Sequence, residues 1–194
     1  YAVPGGLHEN GFRHISTIDR PVAEAGDLAG LRIRVPEGRI FDDTFKSLGA
    51  EPVPVFVLDL YRALAERRVD AQENPLAITD SLKLHEVTRH IALTYHMWSG
   101  FNLIANPAFW RGLPADVQDI VLSNVRSHVA RQRAHTTAMN RDLESTLAQR
   151  GMRFTRPDIA TFRARLTGGF YARWKTELGR TAWDLLETGV GTLR

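Results

Sequence analysis

The chain has 194 residues, 43% of them apolar and 24% charged, with a formal net charge of +3. That is enough for one ordinary domain, or one lobe and part of another. The lack of cysteine excludes disulfides, thiolate catalysis and cysteine-built zinc sites.

No run of about 18 apolar residues is present, so the sequence offers nothing to span a membrane. The basic residues are 22 arginines and only three lysines, Lys46, Lys83 and Lys175. They are scattered among acids, a bias that fits genome composition. They form no basic stripe with interleaved aromatics, which argues against a nucleic-acid partner. The chain opens at Tyr1 without a basic and apolar leader, so no signal peptide is legible. The sequence reads as one that starts partway through a protein, or as a processed product.

In chain order, residues 1–26 are rich in Gly, Pro and polar side chains and read as loop. Asp27 is placed to cap a short turn ending at Gly30. Leu31 to Val35 alternates apolar and basic residues, the pattern of a strand, and Pro36 ends it. Residues 39–48 read as a helix stopped by Gly49. Pro52 to Val57 reads as a second strand, Leu58 to Arg68 as a second helix, and Val69 to Ala71 as a third extended piece. This β-α-β-α-β rhythm with short connections predicts an α/β fold, a parallel or mixed sheet covered by helices. Ligands of such sheets bind beyond the carboxyl ends of the strands. Here those ends are Arg34–Glu37, Val55–Val57 and Gln72–Asn74.

Residues 76–86 read as helix, and 90–105 as a long extended apolar run broken by Asn106-Pro107. Between Pro114 and Gly151 there is no further Gly or Pro. Val117, Ile120, Val121, Val125, Val129, Met139, Leu143 and Leu147 recur there at helical spacing. At about 1.5 Å per residue this helix reaches roughly 50 Å, long enough to brace two lobes. Residues 158–174 and 180–188 read as two closing helices.

Local motifs give no enzyme. His85-Glu86-Val87-Thr88-Arg89-His90 is one residue longer than HExxH, and i, i+5 separates the two histidines by about 140° around a helix. His128 and His135 read as surface or interface residues rather than ligands. GxSxG, Walker and GxGxxG patterns are absent, and Asp42, Asp43 and Glu86 are not set as an acid–base pair.

Polar groups at predicted strand ends remain. A guanidinium at Arg34 would hold a carboxylate through two parallel hydrogen bonds, or else pair with a structural acid. Gln72-Glu73-Asn74-Pro75 reads as a polar turn. Asn74 could donate to and accept from a ligand oxygen, or serve turn chemistry alone. Trp98 and Phe101 belong to the core or to a pocket wall.

Taken together these stretches become recognisable. Asp27 to Pro36, reading DLAGLRIRVP, resembles the D-L-x-G-L-x-x-R-V-P stretch of DctP-type solute-binding proteins, the extracytoplasmic receptors of TRAP transporters. Leu48-Gly49-Ala50 with Pro52-Val53-Pro54 is similar to that family's LGA-x-PxP. Asp59 to Leu64 resembles its E-x-Y-x-A-L helix, with Asp for Glu. Val69 to Pro75 resembles V-D-G-Q-E-N-P, with Ala for Gly. His85-Glu86-Val87, Thr94-Tyr95-His96 (for T-N-H), Leu113-Pro114 and Glu9-Asn10-Gly11-Phe12-Arg13 add further matches in order.

The resemblance implies a lobe of the type II periplasmic-binding-protein fold. It implies a receptor that captures a small organic carboxylate in the periplasm of a Gram-negative-type bacterium and delivers it to TRAP membrane subunits, without enzymatic activity, metal or cofactor. It makes Arg34 the carboxylate clamp and places Arg13 and Asn74 in the pocket with Glu73 beside them. Val57 falls where some members carry an aromatic ring against the ligand, and Trp98 where others carry smaller groups. A compact, partly apolar monocarboxylate is therefore expected rather than a large sugar acid.

The resemblance also implies about a hundred or more residues before Tyr1, forming most of a first lobe. Residues 1–105 would be the second lobe with its hinge strand, 106–151 the helix bridging the lobes, and 152–194 closing helices. The alternatives are a non-functional or partner-dependent fragment and an unrelated α/β enzyme.

Overall fold

The computed structural model describes residues 2–193. The chain divides into two compact units. The first comprises Tyr1–His14, Asn74–His85 and Tyr95–Gly151; the second comprises Ile15–Glu73, Glu86–Thr94 and Met152–Arg194. Strands β1 (Ala2–Thr17), β4 (Ala71–Asn74) and β5 (His90–Ile104) contribute residues to both.

The second unit holds the α/β sheet. Its other strands are β2 (Arg32–Val35), β3 (Glu51–Pro54) and β6 (Arg153–Thr155), and the order is β3-β2-β4-β1-β5-β6. β2 runs parallel to β3, with Arg34 opposite Val53, and parallel to β4, with Arg34 opposite Gln72. Helices α1 (Arg39–Ser47) and α2 (Leu60–Ala65) make the two crossovers. The core is Ile15, Leu28, Ile33, Phe45 and Leu48, each buried to 1% exposure or less. Asp27 does organise the turn before β2, but from the third position of a capping box: its Oδ2 accepts from the N–H of Ala23 and of Glu24.

Several elements differ from the expectation. Residues 2–17 form a strand rather than a loop, because pairing with β5 overrides a composition poor in strand formers. In the first unit, glycines let these two strands approach. A Cβ on Gly6 would stand 2.8 Å from that of Leu103, and one on Gly100 would stand 2.7 Å from the carbonyl oxygen of His8. Asn10 bonds Ser99 and the N–H of Tyr95 meets His14 Nδ1, so contacts ascend β1 as they descend β5, in the antiparallel sense. The supposed turn at Gln72–Asn74 is the buried end of β4. β3 stops at Pro54, and Val57 begins a short 3-10 turn instead of ending the strand.

The first unit is otherwise helical: α3 (Leu76–Ser81), α4 (Pro107–Gly112) and α5 (Ala115–Gln149). The 35-residue α5 lies wholly in this unit and packs on α3. Its buried residues are Val129, Thr136, Leu143 and Leu147, whereas Ile120, in its first half, is 60% exposed. In the second unit the expected helix at 158–174 is broken by Gly168 at φ +74°. α6 (Ile159–Leu166), α7 (Gly169–Leu178) and α8 (Arg180–Val190) follow one another. Among the described residues no helix is long and apolar enough to cross a membrane.

Candidate functional site

In the second unit, Arg34 is the third residue of β2, a strand hydrogen-bonded on both sides, and it is only 3% exposed. Burying a guanidinium is unfavourable unless its donors are matched. Nε donates to the carbonyl of Val55 at 2.8 Å, and that peptide is itself fixed by the Val55 N–H bonding the carbonyl of Val35. The carbonyl thus occupies the side-on donor and orients the fork.

Two residues earlier on the same strand, Arg32 realises the purely structural use of an arginine. It grips Asp70 with Nε at 2.9 Å and Nη2 at 2.6 Å, and also bonds the carbonyls of Arg67 and Arg68. The Arg32 hydrogen bond holds the Asp70 carboxyl below its usual range. Glu73, on β4, is fully buried. Val57 is half-buried, and its neighbour Phe56 is 65% exposed.

In the first unit, Arg13 and Asn74, each 5% exposed, are brought together: Arg13 Nη2 donates to Asn74 Oδ1 at 3.1 Å. The bond takes one lone pair of the amide oxygen, and both residues have further interactions of their own. Trp98 and Phe101 lie on β5, 39% and 60% exposed. The Trp98 indole donates to Glu9 Oε1 at 3.4 Å, and its ring crosses Gly100, where an added Cβ would meet Cη2 at 2.6 Å. These two aromatics are surface-facing rather than core.

The arrangement offers directed donors. Among the described residues no group of His, Asp and Glu could hold a metal ion. Sequence reasoning missed a pocket of about 410 Å³ in the first unit, lined by Glu9, His14, Tyr95, Asn140 and Arg141 among others. These residues come from β1, β5 and α5 with no common motif, so only tertiary structure gathers them.

The family model of bacterial extracellular solute-binding protein, family 7 (DctP), matches residues 6–171. A solute-binding protein of Verminephrobacter eiseniae is 32% identical over 181 residues, 93% of this chain and 54% of the relative. The 2,3-diketo-L-gulonate-binding periplasmic protein of Escherichia coli is 34% identical over 118 residues, 61% of this chain and 36% of the relative. Among solved structures, a TRAP periplasmic solute-binding protein of Polaromonas with bound D-erythronate superposes with a TM-score of 0.85 at 30% identity. It covers 91% of this chain and 60% of that one. A Bordetella protein of the same kind, with density interpreted as pantoate, gives 0.86 at 25% identity, covering 97% and 61%.

The chain thus spans about half the length of the relative matched over most of its own residues. The six-stranded mixed sheet covered by helices agrees with the periplasmic-binding-protein fold expected from the sequence. The family is one of receptors, not enzymes, and this chain belongs to it: it is a member of the bacterial extracellular solute-binding proteins, family 7.

Proposed function

We propose that this chain carries the carboxylate-anchoring part of a TRAP-type receptor. That receptor captures a small organic carboxylate outside the cytoplasm, in the periplasm, and passes it to membrane permease subunits. The observation that carries this reading is the buried Arg34, its Nε bonded to Val55 and its guanidinium oriented by that bond. A preoriented fork matches the two oxygens of a carboxylate. Arg13 and Asn74 serve as further ligand contacts, with Glu73 next to Asn74 in the chain and Val57, Trp98 and Phe101 as wall residues. The absence of a large ring at Val57 favours a compact, partly apolar monocarboxylate, the class to which pantoate, in the density of the Bordetella relative, belongs.

Calorimetric titration of the 194-residue chain with pantoate, D-erythronate and D-galactonate, beside their neutral amides, tests this. Weak saturable binding of the acids alone, strongest for pantoate and lost in Arg34→Ala, is expected. Equal binding of acid and amide, or undiminished binding by Arg34→Ala, would sink the clamp. Preference for galactonate would sink only the size argument.

A second reading, a chain that acts with a partner, draws on the exposed apolar side chains of the first unit. These include Phe101, Ile104 at 74% exposure and Phe109 at 67%. Light scattering of the chain alone and mixed with the amino-terminal half of a family member separates the two: a stable mixed complex supports it, and two unchanged species refute it.

A further inference from the structure

The pocket of about 410 Å³ in the first unit has the size of a small-molecule site, about 300–1,000 Å³. Its walls are left unmatched in a particular way. Asn140 Oδ1 is buried and, among the described residues, accepts no hydrogen bond, a state that native interiors rarely leave uncompensated. Among the same residues, the Glu9 carboxylate takes only the weak bond from the Trp98 indole and meets no cationic side chain, while Arg141 makes no ion pair. Glu144, also on the wall, has an interaction of its own.

Rings line the same pocket. Tyr95 lies edge-on to His14, with centroids 4.5 Å apart, and to Phe12 at 5.8 Å. Tyr95 sits at φ +46° in the middle of β5. A left-handed tyrosine is strained, and such residues gather at ligand clamps. Burial holds His14 neutral, with a pKa of about 4, so it adds no charge to this wall. Its Nδ1 takes the Tyr95 N–H, which puts the ring proton on Nε2.

The geometry points to a second binding site, independent of Arg34, for a zwitterion of amino-acid size with an apolar side chain. The ammonium group meets Glu9 and the orphaned Asn140 oxygen, the carboxylate meets Arg141, and the side chain lies against Phe12, Tyr95 and Leu76. A carboxylate and a guanidinium lining one pocket, neither neutralised by a described residue, are complementary to a ligand bearing both charges. A single water would satisfy Asn140 but would leave Glu9 and Arg141 as they are.

The test titrates the 194-residue chain carrying Arg34→Ala, which removes the proposed monocarboxylate clamp, at neutral pH with L-leucine, isocaproate, which lacks the amine, and isoamylamine, which lacks the carboxylate. Leucine is expected to bind saturably, at least about tenfold more tightly than either analogue, a tenfold ratio being the least that one charged contact contributes. Added to that chain, Glu9→Gln and Arg141→Ala, both leaving its thermal unfolding unchanged, each weaken leucine about tenfold. The proposal is overturned if leucine shows no saturation by about 10 mM or binds no better than isocaproate. Leucine binding that Arg141→Ala leaves undiminished would overturn it as well.

Discussion

The side-on donor of Arg34 is held by the carbonyl of Val55, 2.8 Å from Nε, on a peptide that β2 itself fixes. Orientation here depends on the guanidinium's shape, since an ammonium group has no second donor edge. Arg34→Lys is therefore expected to bind carboxylates no better than Arg34→Ala, within about threefold, although it keeps the charge. Both variants leave the Val55 carbonyl without its partner and lose about 1–3 kcal/mol of stability while unfolding cooperatively. Urea titration followed by calorimetry reads both quantities. A lysine variant with near-native affinity would show that charge alone suffices.

Arg13 and Asn74, 61 residues apart in sequence, meet where Arg13 Nη2 donates to the amide oxygen of Asn74. Asn74→Asp keeps an acceptor for Arg13 and turns the bond into an ion pair, so the fold should persist. It also removes the amide donor and places a negative charge where a carboxylate ligand is proposed to sit. Stability within about 1 kcal/mol of the native chain is expected, together with a loss of at least about tenfold in carboxylate affinity. Tight carboxylate binding by this variant would remove Asn74 from the site.

Burial, reinforced by the neighbouring His96, lowers the pKa of His14 to about 4 from the ordinary histidine value of 6.5. Because the folded value lies below the unfolded one, the folded state favours neutral His14. That contribution is complete above pH 6.5 and is lost as pH falls from there toward 4, as the unfolded chain takes up the proton first. The loss amounts to about 3 kcal/mol at most. His90 is shifted the same way, by burial and then by Arg153 and Arg89, and adds to the same limb. Asp70, held low by Arg32, gives way only at lower pH, below the usual carboxylate range. Denaturant midpoints measured from pH 7 to pH 4 should fall steadily in the native chain and less steeply in His14→Gln. Equal slopes would place His14 in a solvated environment.

The legible half of the fold is the half whose strands report their own burial. β2 and the helix after it announce themselves through alternation at Leu31–Val35 and through Gly49, which takes the left-handed conformation after α1. β1 hides because Gly5 and Gly11, at φ +77° and +114°, disrupt its alternation, and its pairing with β5 is visible only in three dimensions. The end of β4 hides for another reason: Gln72, Glu73 and Asn74 are polar yet buried, and composition assigns such a run to a turn. Asn74 stands out because it ends β4 beside Pro75, and Arg34 because it is a charged residue near the end of an apolar strand that Pro36 closes. The Asn140 pocket does not, since β1, β5 and α5 each supply only part of its wall.

Tyr95 gives the sharpest local test of that hidden geometry. It stands where the family motif T-N-H has asparagine, and its φ of +46° supplies the reason: asparagine tolerates the left-handed region and tyrosine does not. Opposing that strain, of about 1–3 kcal/mol, are its edge contacts with His14 and Phe12, each worth about 0.5–1.5 kcal/mol. The two effects are of similar size, so Tyr95→Asn alone should change stability little. Comparing two ring-free variants isolates the backbone. Tyr95→Ala loses the contacts and keeps the unfavourable φ, so it should be less stable than Tyr95→Asn by about 1 kcal/mol. If alanine matches or exceeds asparagine in urea denaturation, the residue does not hold that conformation in solution, and the neighbouring pocket loses the support that backbone strain lends it.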